Sequence, residues 1–191
     1  MNILQTICTI LGITVVLLNA KEKLLAWPLT VMATVLGVFI YYEKGLYAKC
    51  LLNIIYLTLG LYGWYQWLYS NRARGFLQVS TTSPRTMGVL LLVGVAFVFL
   101  LWSILARLTH ADLVCEDSVH TVLCLIAQWM TARKKLESWI LWAIADILYT
   151  LVCYYKELYW LSGLHAFYIF LAVHGYRVWR QAYLRQTAAL P

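Results

Sequence analysis

The stretch from Arg133 to Arg180, RKKLESWILWAIADILYTLVCYYKELYWLSGLHAFYIFLAVHGYRVWR, decides the fold. It opens on three cations, Arg133, Lys134 and Lys135, and then runs through two long apolar segments broken only at Lys156 and Glu157. Segments this long and apolar are lipid-spanning helices rather than core strands. In the first of them Trp139, Trp142, Asp146 and Tyr149 recur at helical spacing, so one face carries two indoles, a carboxylate and a phenol. A carboxylate is costly to keep in hydrocarbon, and the usual reason to keep one is a polar cavity.

The rest of the chain has the same character. Of its 191 residues 63% are hydrophobic and only 12% charged, with a mean hydropathy of +0.74, the profile of a polytopic membrane protein. No stretch is polar and long enough to fold as a soluble domain, so the spans and their short connections must carry the activity. The opening MNILQTICTILGITVVLLNAKEK lacks the basic start and the cleavage site of a secretory signal and reads as the first span. The net charge of +7 sits in turns between apolar segments, which orients a membrane protein and argues against nucleic acid as a partner. Cys8, Cys50, Cys115, Cys124 and Cys153 are scattered and show no CxxC spacing, so they read as packing residues, with no metal or cofactor expected.

Apolar runs bounded by charge or turn residues give seven spans, at about 3–19, 25–42, 47–69, 87–106, 115–131, 138–154 and 158–178. The one long connection, 70–86, has loop composition and divides the chain in two. Lys21, Lys23, Arg72, Arg74, Arg85, Arg133, Lys134, Lys135, Arg177, Arg180 and Arg185 then share one side, against Lys44, Lys49, Arg107 and Lys156 on the other. The positive-inside rule places the C-terminus in the cytoplasm and the N-terminus outside.

A shift of 112 residues superimposes the two halves. KEKLLAW, ending at Trp27, lies over RKKLESW, ending at Trp139, and Tyr42, Lys44, Leu46, Tyr47, Tyr56, Gly63 and Trp67 meet identical residues. About a third of the positions from Lys21 to Trp67 are identical to their shifted partners without a gap. Three spans per copy would invert the second copy, and the single span at 87–106 restores its direction. The expected architecture is therefore all-α: two parallel three-helix repeats, 1–69 and 111–181, joined by a loop and linker helix at 70–110 and followed by a cytoplasmic tail at 182–191, within one membrane domain.

Repeats of this kind place a substrate site between the bundles near mid-membrane. Asn53 and Tyr56 in the third span match His165 and Tyr168 in the seventh, beside the small residues Gly60 and Gly63, which allow close helix approach. The fifth span adds a stripe of Asp117, Thr121, Cys124 and Gln128; Gln128 needs a polar partner, either another helix or a ligand. Trp139 and Trp142 read as an interfacial belt or, with Asp146 one to two turns deeper, as a site for a flat cationic heteroaromatic ring. An enzyme would need His110 with Asp112, or Asp117 with His120, as acid–base pairs at the outer face, but no nucleophile with a neighbouring base, HExxH or Gly-rich phosphate loop accompanies them. A purely structural role would leave a buried Asp146 unexplained.

The run AQWMTARKKLESWILWAIAD from Ala127 to Asp146, followed by KELY and HGYRVW, closely resembles the second half of the Pnu-type vitamin transporters, best known for bacterial nicotinamide riboside uptake. AWPL, EKGLY and YGWYQW resemble the first half, so the likeness covers nearly the entire chain. The resemblance implies a seven-span arrangement similar to the SWEET sugar transporters, a homo-oligomer of trimer type, and transport down a gradient in the bacterial inner membrane, with a cytoplasmic kinase trapping the vitamin for NAD biosynthesis. It assigns the family's WxxW element to Trp139 and Trp142 and polar contacts to Gln128, Asn53 and His165. Two departures stand out: His165 occupies a position where an apolar, amide or aromatic residue is expected, and Ile140 stands opposite Pro28, so a proline hinge exists in one repeat only. The expected cargo is nicotinamide riboside, with thiamine, another flat cation, as the alternative.

Overall fold

The computed structural model describes residues 3–43, 45, 47–69, 77–108 and 113–188. Seven helices account for almost all of them: α1 (Ile3–Ala20), α2 (Ala26–Glu43), α3 (Tyr47–Tyr69), α4 (Pro84–Leu108), α5 (Val114–Ala132), α6 (Ser138–Tyr155) and α7 (Tyr159–Ala188). Two bounds differ from the sequence expectation by more than two residues. α4 starts at Pro84 because Ser83 caps it: the Thr86 N–H donates to Ser83 Oγ at 3.2 Å, and proline takes a first-turn position where its missing N–H costs nothing. α7 runs on past its apolar part, so the segment expected as a tail from residue 182 is helical to Ala188.

Lipid is the only solvent that suits the outer surface. Phe39, Leu92, Phe99, Leu151 and Phe170 are each more than 60% exposed and point away from the bundle. Ala26–Glu43, Pro84–Arg107 and Ser138–Tyr155 are each long and apolar enough to cross a membrane unaided. The chain is an all-helical, multi-pass membrane protein.

Six helices close a ring in the order α1, α2, α3, α5, α6, α7 and back to α1, while α4 packs on α5 alone among the described residues. The α3–α5 and α7–α1 contacts are one interface made twice, because α1 and α5 are repeat mates, as are α3 and α7. Trp179 Nε1 donates to the Asn19 carbonyl at 3.1 Å, and its mate Trp67 donates to the carbonyl of Thr131, the mate of Asn19, at 3.4 Å. Such reciprocity is the signature of an isologous, two-fold contact, here within one chain. Where the halves meet, Trp27, Trp67, Trp139 and Trp179 form one cluster, with ring centroids 5.5 Å apart for Trp27–Trp67, 5.4 Å for Trp139–Trp179 and 6.3 Å for Trp67–Trp179. Glycine makes room for it twice: a Cβ at Gly63 would strike the Trp27 ring, and one at Gly175 would lie 2.6 Å from Trp139.

The turns repeat as well. α1 and α5 each end in a left-handed residue, Glu22 (φ 54°) and Lys134 (φ 48°), followed by a bond back to the last turn, from Lys23 N–H to the Leu18 carbonyl at 2.8 Å and from Lys135 N–H to the Met130 carbonyl at 2.9 Å. These are Schellman caps, and they aim Glu22 and Lys134 toward each other. After α2 and α6 the left-handed position is filled by Gly45 (φ 68°) and Glu157 (φ 57°).

The end of the long connection straps across the α5–α6 turn. Ser80 donates to the Lys134 carbonyl (3.0 Å) and accepts from Leu136 N–H (2.9 Å), Val79 is buried, and the Thr82 N–H and Oγ1 both donate to the Glu137 carboxylate at 2.9–3.1 Å. Lys135 Nζ returns to Ser80 Oγ and the Thr81 carbonyl, each at 3.0 Å.

Candidate functional site

A cavity of about 270 Å³ lies inside the ring, at the small end of ligand sites. Its walls come from Gly12, Val15, Val16 and Asn19 of α1, Thr30 of α2, His120, Cys124, Gln128 and Thr131 of α5, Trp139, Trp142 and Asp146 of α6, and His165, Tyr168 and Ala172 of α7. Eight residues singled out in the sequence are brought together here: Trp139, Trp142, Asp146, Gln128, Cys124, His120, His165 and Tyr168.

Asp146 is 8% exposed and faces the cavity rather than lipid. Its Oδ1 lies 2.7 Å from His165 Nδ1, a pairing between α6 and α7. Around that pair the aromatic rings are close: Tyr149 is 4.6 Å from His165 edge to face and stacks on His120 at 4.2 Å, and Tyr168 is 5.7 Å from His165. His120 Nε2 lies 3.4 Å from Cys124 Sγ, which also meets the Tyr56 hydroxyl. Asp146 and His165 form a charged or chargeable pair in the lining, with these aromatic rings around it.

One turn closer to the tryptophan cluster, Trp142 Nε1 donates to Thr131 Oγ1 at 3.1 Å, which fixes the indole plane beside the cavity. Trp139 is 3% exposed and packed edge to face on Trp179, whereas Trp142 is only half-buried; both line the cavity. Trp139 Nε1 and Asn19 Oδ1 are a buried donor and acceptor with no protein partner at this end.

Asn53, Tyr56 and Thr121 stay out of the lining. Asn53 packs over Gly37 of α2, where a Cβ would come within 2.5 Å of Asn53 Oδ1. In the second repeat Tyr149 fills the place of Gly37, which holds His165 out beside Asp146. The two copies of one position thus point differently because their neighbours differ in bulk. Sequence reasoning missed Asn19, Thr30, Thr131 and the smooth α1 wall, whose Gly12 lets the Tyr168 hydroxyl come close. The 112-residue shift held a signal for them: Gly12 and Cys124, Val16 and Gln128, Asn19 and Thr131, and Thr30 and Trp142 are repeat mates, and both members of each pair line the cavity.

The Asp117–His120 acid–base pair expected at the outer face does not form. His120 belongs to the cavity, Asp117 instead meets Lys156 at 3.9 Å, and His110 and Asp112 lie outside the described residues, as do Lys44, Arg72 and Arg74. A larger space of about 420 Å³ between α4 and α5 is walled by apolar chains and Cys115 and opens toward lipid, so it offers a polar solute nothing to bind. Among the described residues no group of three metal-ligating side chains comes together.

A ring of lipid-facing helices around a small cavity that holds a carboxylate, an amide and imidazoles, built from two like-oriented repeats, is the design of a membrane transporter for small solutes. The chain belongs to the nicotinamide mononucleotide transporter family, whose model matches residues 2–181. It is similar to the nicotinamide riboside transporter PnuC of Escherichia coli (strain K12) and to that of Shigella flexneri, each 24% identical over 201 aligned residues that cover 92% of this chain and 84% of the relative. The crystal structure of the vitamin B3 transporter PnuC shares the fold, with a TM-score of 0.70 at 21% identity, covering 93% of this chain and 80% of that one. The relatives are transporters and not enzymes.

Proposed function

We propose that the protein carries nicotinamide riboside across the bacterial inner membrane, down its gradient, by alternating access. The observation that carries this reading is the placement of Trp142 and Asp146 on the same cavity wall: an indole face for a flat ring and a carboxylate for its positive charge. Gln128, Tyr168, Asn19 and His165 are then within the same cavity for the carboxamide and the ribose hydroxyls, with Trp139 as the back wall. Asn53, Tyr56 and Thr121 act from behind the lining, Tyr56 through its contact with Cys124.

The cavity chemistry favours the riboside over the mononucleotide. The described lining holds one carboxylate and no Lys or Arg, so a phosphate entering it would be buried without a cation beside the negative charge of Asp146. Alternating access would be a rocking of the two repeats about their isologous interface, with the tryptophan cluster and the Glu22–Lys134 pair closing one end. The charge distribution supports an outer N-terminus and a cytoplasmic C-terminus, and the family resemblance implies assembly as a homotrimer and trapping by a cytoplasmic kinase after release.

The test is uptake of labelled nicotinamide riboside, nicotinamide mononucleotide and thiamine into liposomes containing the purified protein. Riboside uptake that saturates, with mononucleotide excluded, is the expected result. Uptake no faster than in protein-free liposomes ends the transport proposal, and preferential thiamine uptake replaces the cargo.

A further inference from the structure

We propose that His165 makes substrate binding proton-linked: its imidazolium and a cationic ligand are alternative partners for the Asp146 carboxylate, and each cation taken up releases one proton. The inference rests on the reading of the cargo as a cation. Its basis is the 2.7 Å contact between His165 Nδ1 and Asp146 Oδ1, made by side chains only 17% and 11% exposed and both lining the cavity.

Charge balance supplies the argument. Histidine is the side chain whose charge changes near neutrality. With His165 protonated, the pair is neutral and the cavity holds nothing to compensate an entering cation. With His165 neutral, Asp146 leaves one negative charge for the ligand. Holding imidazolium and cation together against a single carboxylate would leave a net positive charge in a low-dielectric site, the costliest arrangement of the three. The exchange therefore runs from carboxylate, imidazolium and external cation to carboxylate, bound cation, neutral imidazole and a free proton, with a total charge of one on both sides. The imidazole keeps the Nδ1 proton that it donates to Asp146 and gives up the one on Nε2.

Among the described residues no other group facing His165 supplies a compensating charge. From α6 it meets Tyr149 as well as Asp146, from α7 Tyr168, and from α5 His120, whose ring is 6.3 Å away edge to face and whose Nε2 is engaged with Cys124. The α1 wall contributes Gly12, Val15, Val16 and Asn19 to the lining, and Thr30 is the α2 contribution. Tyr56 of α3 is held to Cys124, and Asp117 and Lys156 offset each other at 3.9 Å. Neutral solutes do not compete with the proton, so His165 also acts as a specificity residue that favours cations as the proton is lost.

The experiment is calorimetric titration of the purified full-length protein with nicotinamide riboside between about pH 5 and 8, each pH in two buffers of different ionisation enthalpy. The expected result is a Kd that rises by up to about tenfold per unit of falling pH, with up to about one proton released per ligand. His165→Gln keeps the carboxylate and flattens the profile, while His120→Gln retains the slope. A flat profile without proton release in the unaltered protein overturns the proposal and needs no variant to do so. A slope that survives His165→Gln but vanishes in His120→Gln also overturns it. No binding at any pH would instead remove the cationic cargo itself.

Discussion

Glu22 and Lys134 occupy the same position in the two repeats, 112 residues apart, and bond to each other at 2.6 Å. A residue can touch its own repeat mate only near the axis that relates the copies, so this ion pair marks where that axis leaves the bundle. Lys134 is 7% exposed at its side chain and also lies 4.6 Å above the Trp67 ring, whose own mate, Trp179, adjoins it.

Removing one partner strands the other. Lys134→Met is expected to cost about 1–3 kcal/mol through the unpaired Glu22 carboxylate. The exchange Glu22→Lys with Lys134→Glu should recover part of that loss, because the two positions are near-equivalent by symmetry. Thermal unfolding of the two singles and the double, read as a mutant cycle, measures the coupling; additive effects would contradict it.

The glycines behind the indoles should be intolerant of even one methyl. Gly63→Ala and Gly175→Ala each place a Cβ against a buried tryptophan ring, an overpacking cost of about 1–3 kcal/mol. Gly63→Ala is expected to be the worse, since its Cβ would come closer to the Trp27 ring than a Cβ at Gly175 comes to Trp139. Gly163→Ala, with nothing within 4 Å, is the control in the same melting assay.

Stacking and orientation can be separated at one position. Trp142→Ala should lower riboside affinity about tenfold or more, a loss of about 1.4 kcal/mol or above. Trp142→Phe keeps a ring but loses the 3.1 Å bond to Thr131 and should fall between the two. Equilibrium binding to purified protein gives the order, and equal affinity for all three would remove Trp142 from the site.

Replacing the carboxylate removes the counter-charge while keeping the shape. Asp146→Asn should weaken binding of the cation about 10- to 100-fold, the size of a lost charge-assisted contact. Melting temperature should change less, because an amide can still bond His165. A variant with unchanged Kd would show that the ligand lies elsewhere.

The strap is testable without any ligand. Thr82→Val removes one bond to Glu137, and Glu137→Gln weakens the charge-assisted pair from the Thr82 N–H and Oγ1. Faster amide exchange is expected at Ser80 and Leu136, whose N–H groups close the adjoining bridge. Unchanged exchange there would mean that the buried Val79 alone anchors the segment.

Much of the fold was legible because its signals are local. Apolar length marked each helix, and the identities at Trp27, Tyr56, Gly63 and Trp67 with their mates announced the repeat before any coordinate. Asp146 was legible too, because an acid inside an apolar run is costly wherever it points. Its partner was not: His165 lies 19 residues away on another helix, and only packing brings the two within 2.7 Å. The third helix shows the limit of symmetry arguments, since Asn53 matches His165 by register, yet Gly37 lets it settle against α2. His120 read as an outer-face residue by its place along the chain, and stacking on Tyr149 draws it into the cavity.

The mates across the cavity are unequal. Gly12 is the mate of Cys124, Val16 of Gln128 and Thr30 of Trp142, the first member the smaller each time, while Asn19 and Thr131 are both polar. Two identical walls would greet a guest alike and let it sit either way round. One flank carries most of the polar and aromatic groups, with Asn19 the exception on the other, so under the proposed transport cycle a guest has a single pose and the first repeat has few bonds to break.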